Sequence, residues 1–212
     1  MNDKFSNEER DYRASIVKWG KELYDCGMVK GSGGNISVRC NDSVLLTPTG
    51  YFLGHLTEDI ITKTDLNGNL VEGLKPTKEL PMHLAAYKAL PNANAVVHLH
   101  SPYATSMAST FLPNKFMPIF LPSVAIKVGR IKITDFTMPG TDDLADVVYE
   151  SLKYGPAVLL SHHGIIATGR TLTEAVSIAY EIEENAHIYY ITNGQIPELS
   201  EETINKLTKV YK

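Results

Sequence analysis

The chain has 212 residues, 43% of them hydrophobic, and a formal net charge of −4 with a pI near 6.0, enough to bury a sizeable core in a single domain spanning residues 1–212. This balance leaves no cationic surplus to neutralise a phosphate backbone, so no nucleic acid partner is expected. No apolar run reaches 18 residues, and the opening MNDKFSNEERDYR is charged where a signal peptide is apolar; a cytoplasmic protein with no membrane partner is expected.

Taken in chain order, residues 6–26 read as an amphipathic helix, with Ser6 and Glu9 as a capping pair, Tyr12, Ile16, Trp19 and Leu23 on one face, and Gly27 as the stop. Cys26 and Cys40 lie in no CxxC or zinc-finger spacing and are expected to remain free thiols. The runs ISVR, VLLT, IITKTDL and the Asn67-Gly68 turn into Leu70-Val71 predict antiparallel hairpins. A helix is expected from Thr77 to about Leu90, then a buried strand AVVHLHS and a short helix over 102–110. Residues 111–140, punctuated by proline, give no clear element. Thr141 is expected to cap a helix carrying Leu144, Val148 and Leu152. AVLLSHHG then reads as a strand ending in a loop, 172–192 as a long helix, and the tail as a further helix after Ser200. The pattern is that of a mixed α/β sheet with helices packed against it.

Four of the seven histidines fall in VVHLHS and LLSHHG. Side chains two apart on a strand point the same way, with roots roughly 6.5–7 Å apart, so His98 and His100 can converge on one ion while Val97 and Leu99 face the opposite core. A third nitrogen is expected from His162 or His163, and alternation alone does not choose between them. His55 and His187 look isolated, and His83 reads as a structural neighbour of Glu79, four residues along the same helix. Glu79, near the predicted helix start, is either an ordinary first-turn acid or a carboxylate ligand. As a ligand able to release the ion it would double as a base for proton transfer beside a carbonyl, with the cation acting as Lewis acid.

A second group of features suits an anion. KGSGGNIS places three glycines in residues 31–34 ahead of Asn35, a loop that either turns tightly into a strand or offers backbone N–H groups to an anion. Thr47-Pro48-Thr49-Gly50 and Thr77-Lys78 add further donors. Together they can cradle one phosphate.

GSGGNISVR, LLTPTG, KPTKE, AVVHLHSPYAT and LLSHHGIIATG, in this order, resemble the class II aldolase/adducin family over roughly residues 10–195. The resemblance implies a single-domain α/β/α sandwich with a central mixed, largely antiparallel sheet, assembled as a homotetramer with active sites between subunits. It implies a metal site of His98, His100, His163 and Glu79, with Glu79 also catalytic, and so selects His163 over His162. Phosphate contacts are implied at Asn35, Thr49, Gly50 and Thr77, with Lys78 beside them. One divalent ion per subunit is expected, zinc fitting three imidazoles and a carboxylate, with manganese or cobalt as alternatives. The expected function is a metal-dependent carbon–carbon lyase of a phosphorylated sugar or sugar acid, an aldolase cleaving a ketose phosphate through an enediolate. Alternatives are 3-oxo-tetronate 4-phosphate decarboxylase, a sugar-phosphate 4-epimerase and an adducin-like structural domain. Thr77-Lys78 and LPSVAIKVGRI resemble the decarboxylase branch and TPTG the aldolases, while Ser123 stands near a family tyrosine.

Overall fold

The Ser6 hydroxyl accepts a hydrogen bond from the Glu9 N–H at 3.1 Å, so the helix α1 (Asn7–Asp25) starts where its capping pattern places it. The other half of that pattern is diverted: the Glu9 carboxylate takes the buried guanidinium of Arg13 and the ammonium of Lys63. Arg13 in turn donates to the carbonyls of Glu58 and Ile61, fastening α1 to the loop ahead of the third strand. The computed structural model describes residues 5–110 and 115–211 of the chain.

One eight-stranded sheet carries the molecule. Its strands are β1 (Asn35–Cys40), β2 (Ser43–Leu46), β3 (Thr62–Asp65), β4 (Leu70–Glu72), β5 (Ala95–Leu99), β6 (Lys132–Thr134), β7 (Ala157–Leu160) and β8 (Gly164–Gly169). They lie in the order β4-β3-β2-β1-β5-β8-β7-β6, antiparallel throughout except for the parallel β6–β7 pair. The helices are α1, α2 (Leu80–Ala89), α3 (Pro102–Thr110), α4 (Pro122–Lys127), α5 (Asp142–Ser151), α6 (Leu172–Ile191) and α7 (Glu201–Tyr211).

Strand alternation divides the apolar side chains into two cores. Ile36, Val38, Val97, Leu99, Leu159 and Ile165 face one way, with Ile16 and Leu23 of α1 and Val176, Ile178 and Ile182 of α6. Val44, Leu46, Val96, Val158, Leu160 and Ile166 face the other, against Met82 and Ala86 of α2 and Leu144 and Val148 of α5. Helices thus cover both faces, as an α/β/α sandwich requires. Asn35 and Ser37 on β1, and His98 paired with Asn35 on β5, point to the α2 side.

Three expectations change. The helix expected from Thr77 begins at Leu80, because Thr77 closes a turn by accepting from the Leu80 and Glu79 N–H groups; Glu79 is therefore the last residue before the helix. The strand expected through AVLLSHHG stops at Leu160, and Gly164, where a loop is expected, opens β8. The unassigned middle contains α4 and β6; residues 111–114 of it lie outside the described residues. Both cysteines are free, one exposed and one buried. No helix among the described residues is long and apolar enough to cross a membrane.

Candidate metal centre

The end of β5 and the β7–β8 turn bring three imidazoles to one point. His98 and His100 project from the same side of β5, their Nε2 atoms 3.0 Å apart. His163 closes the turn, donating its backbone N–H to the Leu160 carbonyl, while His162 at φ 55 occupies the left-handed position of that turn and is exposed. The tight turn decides between the two histidines: only His163 folds inward, its ring 4.7 Å from that of His98 and 5.1 Å from that of His100.

Glu79 enters from the start of α2. Its Oε2 lies 3.3 Å from His98 Nε2 and its Oε1 3.0 Å from His163 Nε2. Donor atoms of Glu79, His98, His100 and His163 all lie within 4.8 Å of one another. Three of these residues are buried, and His100 is open to the adjoining cavity.

The donor set fits a divalent cation. The His98 Nδ1 proton is committed to the Ile165 carbonyl at 2.8 Å, which leaves the Nε2 lone pair facing inward, the tautomer that a metal-ligating imidazole needs. No hydrogen bond of sound geometry reaches Glu79 Oε1, a buried carboxylate oxygen that an ion would satisfy. Burial alone would raise the Glu79 carboxyl, but its imidazole neighbours and the Asn35 amide outweigh it and hold the group well below the usual carboxylate range. Burial lowers His98 to about 3, and it lowers His100 as well, with His163 and, to a lesser degree, Lys78 adding to it. At neutral pH His98 is therefore a neutral imidazole beside an ionised Glu79, the protonation state in which both can coordinate.

Close backbone approach makes room for these rings. A methyl group on Gly33 would stand 2.9 Å from His100 Nδ1, one on Gly34 3.0 Å from the His98 carbonyl, and one on Gly164 2.2 Å from the Leu99 carbonyl. The glycines read as an anion loop therefore also serve the histidines. At the other end of the segment, the Glu183 carboxylate accepts from the Tyr103 and Ala104 N–H groups at 2.9 and 2.8 Å, pinning the chain as it leaves His100.

A cavity of about 600 Å³ opens onto the cluster. Lys30, Gly33, Asn35, Thr49, Gly50, Thr77 and Lys78 line it together with Glu79, His100 and His163, so all three predicted donor loops meet there. Thr49 donates its N–H to Lys75 and Thr77 its N–H to Thr47, which zips two of the loops together. Gly50 sits at φ 80, a conformation open to glycine and tolerated by asparagine, so its identity reports backbone shape more than chemistry. The Asn35 side chain is turned to Glu79 and His83, leaving one amide hydrogen for an anion. Ser123 lies on α4 and does not line the cavity. His55 stacks on Phe52 and His187 on Tyr103, both apart from the cluster.

Fold and site define one class of protein: the chain belongs to the class II aldolase and adducin N-terminal domain family, whose profile matches residues 14–190. It is 37% identical over 183 residues to the 3-oxo-tetronate 4-phosphate decarboxylase of Haemophilus influenzae, covering 85% of this chain and 87% of that one. It is 36% identical over 209 residues to the L-fuculose phosphate aldolase of Escherichia coli, covering 97% and 96%. The crystal structure of YgbL from Klebsiella pneumoniae superposes with a TM-score of 0.90 at 32% identity, over 95% of this chain and 100% of that one. The chain is a class II aldolase-type lyase.

Proposed function

We propose that this lyase cleaves a ketose 1-phosphate to dihydroxyacetone phosphate and an aldehyde, using a zinc ion held by His98, His100, His163 and Glu79. The observation that carries the reading is the convergence of four donors, one with an orphaned oxygen, at the mouth of a polar cavity. Zinc suits three imidazoles and a carboxylate, and when bound it supplies Lewis-acid polarisation of a substrate carbonyl.

The chain's own residues do the rest. Asn35, Thr49, Gly50, Thr77 and Lys78 hold the phosphate and so fix the carbon chain across the cavity. Glu79, ionised in the resting site, exchanges the proton at the carbon beside the carbonyl. The open side of the cavity at His100 suits completion by a neighbouring subunit, and a cytoplasmic homotetramer is part of this proposal.

Lys78 favours a second reading. Its cationic side chain lines the cavity and is close enough to affect His100, so it can also hold the carboxylate of a 3-oxo acid phosphate whose loss as carbon dioxide gives the same type of enediolate. Incubating zinc-loaded protein with a panel of ketose 1-phosphates and with 3-oxo-tetronate 4-phosphate separates the two. Dihydroxyacetone phosphate released together with an aldehyde from a ketose 1-phosphate supports the aldolase, whereas dihydroxyacetone phosphate released together with carbon dioxide from 3-oxo-tetronate 4-phosphate, and no cleavage of the ketose phosphates, replaces it with the decarboxylase. Epimerised substrate without cleavage, or no turnover of any kind, contradicts both.

A further inference from the structure

Behind the metal cluster runs a chain of buried polar groups whose hydrogens can be placed in only one way. Asn35 Nδ2 lies 2.8 Å from Glu79 Oε2, and an ionised carboxylate only accepts, so the amide nitrogen faces it. Asn35 Oδ1 then faces His83 Nε2, to which it is hydrogen-bonded, and an amide oxygen only accepts, so His83 carries its proton on Nε2. His83 Nδ1 is left with a lone pair, 2.7 Å from the Ser37 hydroxyl, which must donate to it. The Ser37 oxygen is then free to accept from the Tyr87 hydroxyl, also at 2.7 Å. Tyr87, Ser37, His83 and Asn35 thus all donate in one direction, toward Glu79.

The spacing that builds this chain is regular. Asn35 and Ser37 stand two apart on one face of β1, and His83 and Tyr87 four apart on one face of α2, steps of roughly 6.7 and 6 Å that match across the interface. His83 and Ser37 are 0% exposed, so neither can take a partner from water instead, and Tyr87 at 4% and Asn35 at 5% are nearly as enclosed.

We propose that His83 is a positioning residue of the metal site: by donating to Asn35 it keeps the Asn35 amide turned toward Glu79, and Ser37 and Tyr87 hold His83 in the tautomer that allows this. The outcome is a carboxylate tethered at Oε2, with Oε1 free to reach the ion. Without the His83 donor the amide can rotate and present its oxygen to the carboxylate, repelling it from the site. The proposal rests on the metal reading above.

Zinc affinity, measured by competition with a chromophoric chelator, tests it independently of turnover. His83→Leu fills the space without donating and should weaken zinc by about tenfold to a hundredfold, the usual cost of losing a group that orients a ligand. His83→Gln places an amide nitrogen where Nε2 was and should restore the affinity to within about threefold of the parent. Equal losses in both variants would reduce His83 to a space-filling role and overturn the proposal, as would a folded His83→Leu protein with unchanged affinity. If His83→Leu does not fold, Ser37→Ala carries the test: weakened zinc binding supports the tautomer chain and unchanged binding overturns it. A parent protein that binds no zinc instead defeats the metal reading itself.

Discussion

A methyl group at position 33 would stand 2.9 Å from His100 Nδ1, closer than real Cβ atoms come to such a neighbour. Gly33→Ala should therefore displace the His100 ring and weaken zinc binding by about tenfold or more, through its effect on ligand placement. Stability should fall less than function, because the clash is with a movable ring at the edge of the cavity. Equilibrium zinc titration alongside a thermal melt checks both halves. At this scale the sequence was uneven in what it revealed. His98 and His100 followed from strand alternation, because alternation is a local property of the chain. His162 and His163 did not separate, because their difference is the positive φ of His162 in a turn whose existence depends on β8 pairing back along β7. The partnership of His83 with Asn35 was equally hidden, since it joins residues 48 apart, although the matched spacings Asn35–Ser37 and His83–Tyr87 held a signal once β1 and α2 were known to face each other.

Helix α2 is docked to the sheet through a fully buried histidine, and that docking should be acid-labile. Burial pushes His83 down to about 4 in the folded chain, from 6.5 when exposed. Between those values the unfolded chain binds a proton that the folded chain refuses, so stability is complete above about 6.5 and declines as the pH falls toward 4. His98, lowered to about 3 by burial, acts in the same direction and extends the decline. Each contributes about 1.4 kcal/mol per pH unit within its window. Urea unfolding of metal-free protein at stepped pH should show this loss, and His83→Gln should roughly halve its slope, since His98 keeps its share; a flat profile from pH 7 to 4.5 in the parent would contradict the buried neutral histidine. Most elements were legible where capping and periodicity agreed, as at Ser6 and Thr141, whose hydroxyls accept from Glu9 and Leu144. Helix α2 was placed three residues early because Thr77, a good capping residue, instead closes a turn ahead of the helix. Strands β6 and β8 escaped notice because β6 is three residues long and GIIATG, buried on both faces, lacks alternation.

For the whole molecule, the same sheet could serve an aldolase, a decarboxylase or a non-catalytic head domain, since fold alone does not determine chemistry. What separates an enzyme from a structural relative is the cluster, built from the end of β5, the β7–β8 turn and the residue before α2, with a polar cavity opening on it. The antiparallel order places β1, β5 and β8 side by side in the middle of the sheet, so distant segments of sequence meet at the ends of its central strands. The most direct test is metal analysis of the purified protein, paired with His98→Ala. The account predicts one divalent ion per chain in the parent and loss of both ion and lyase activity in the variant. No stoichiometric ion in the parent, or an His98→Ala protein that keeps its ion and its activity, would contradict it.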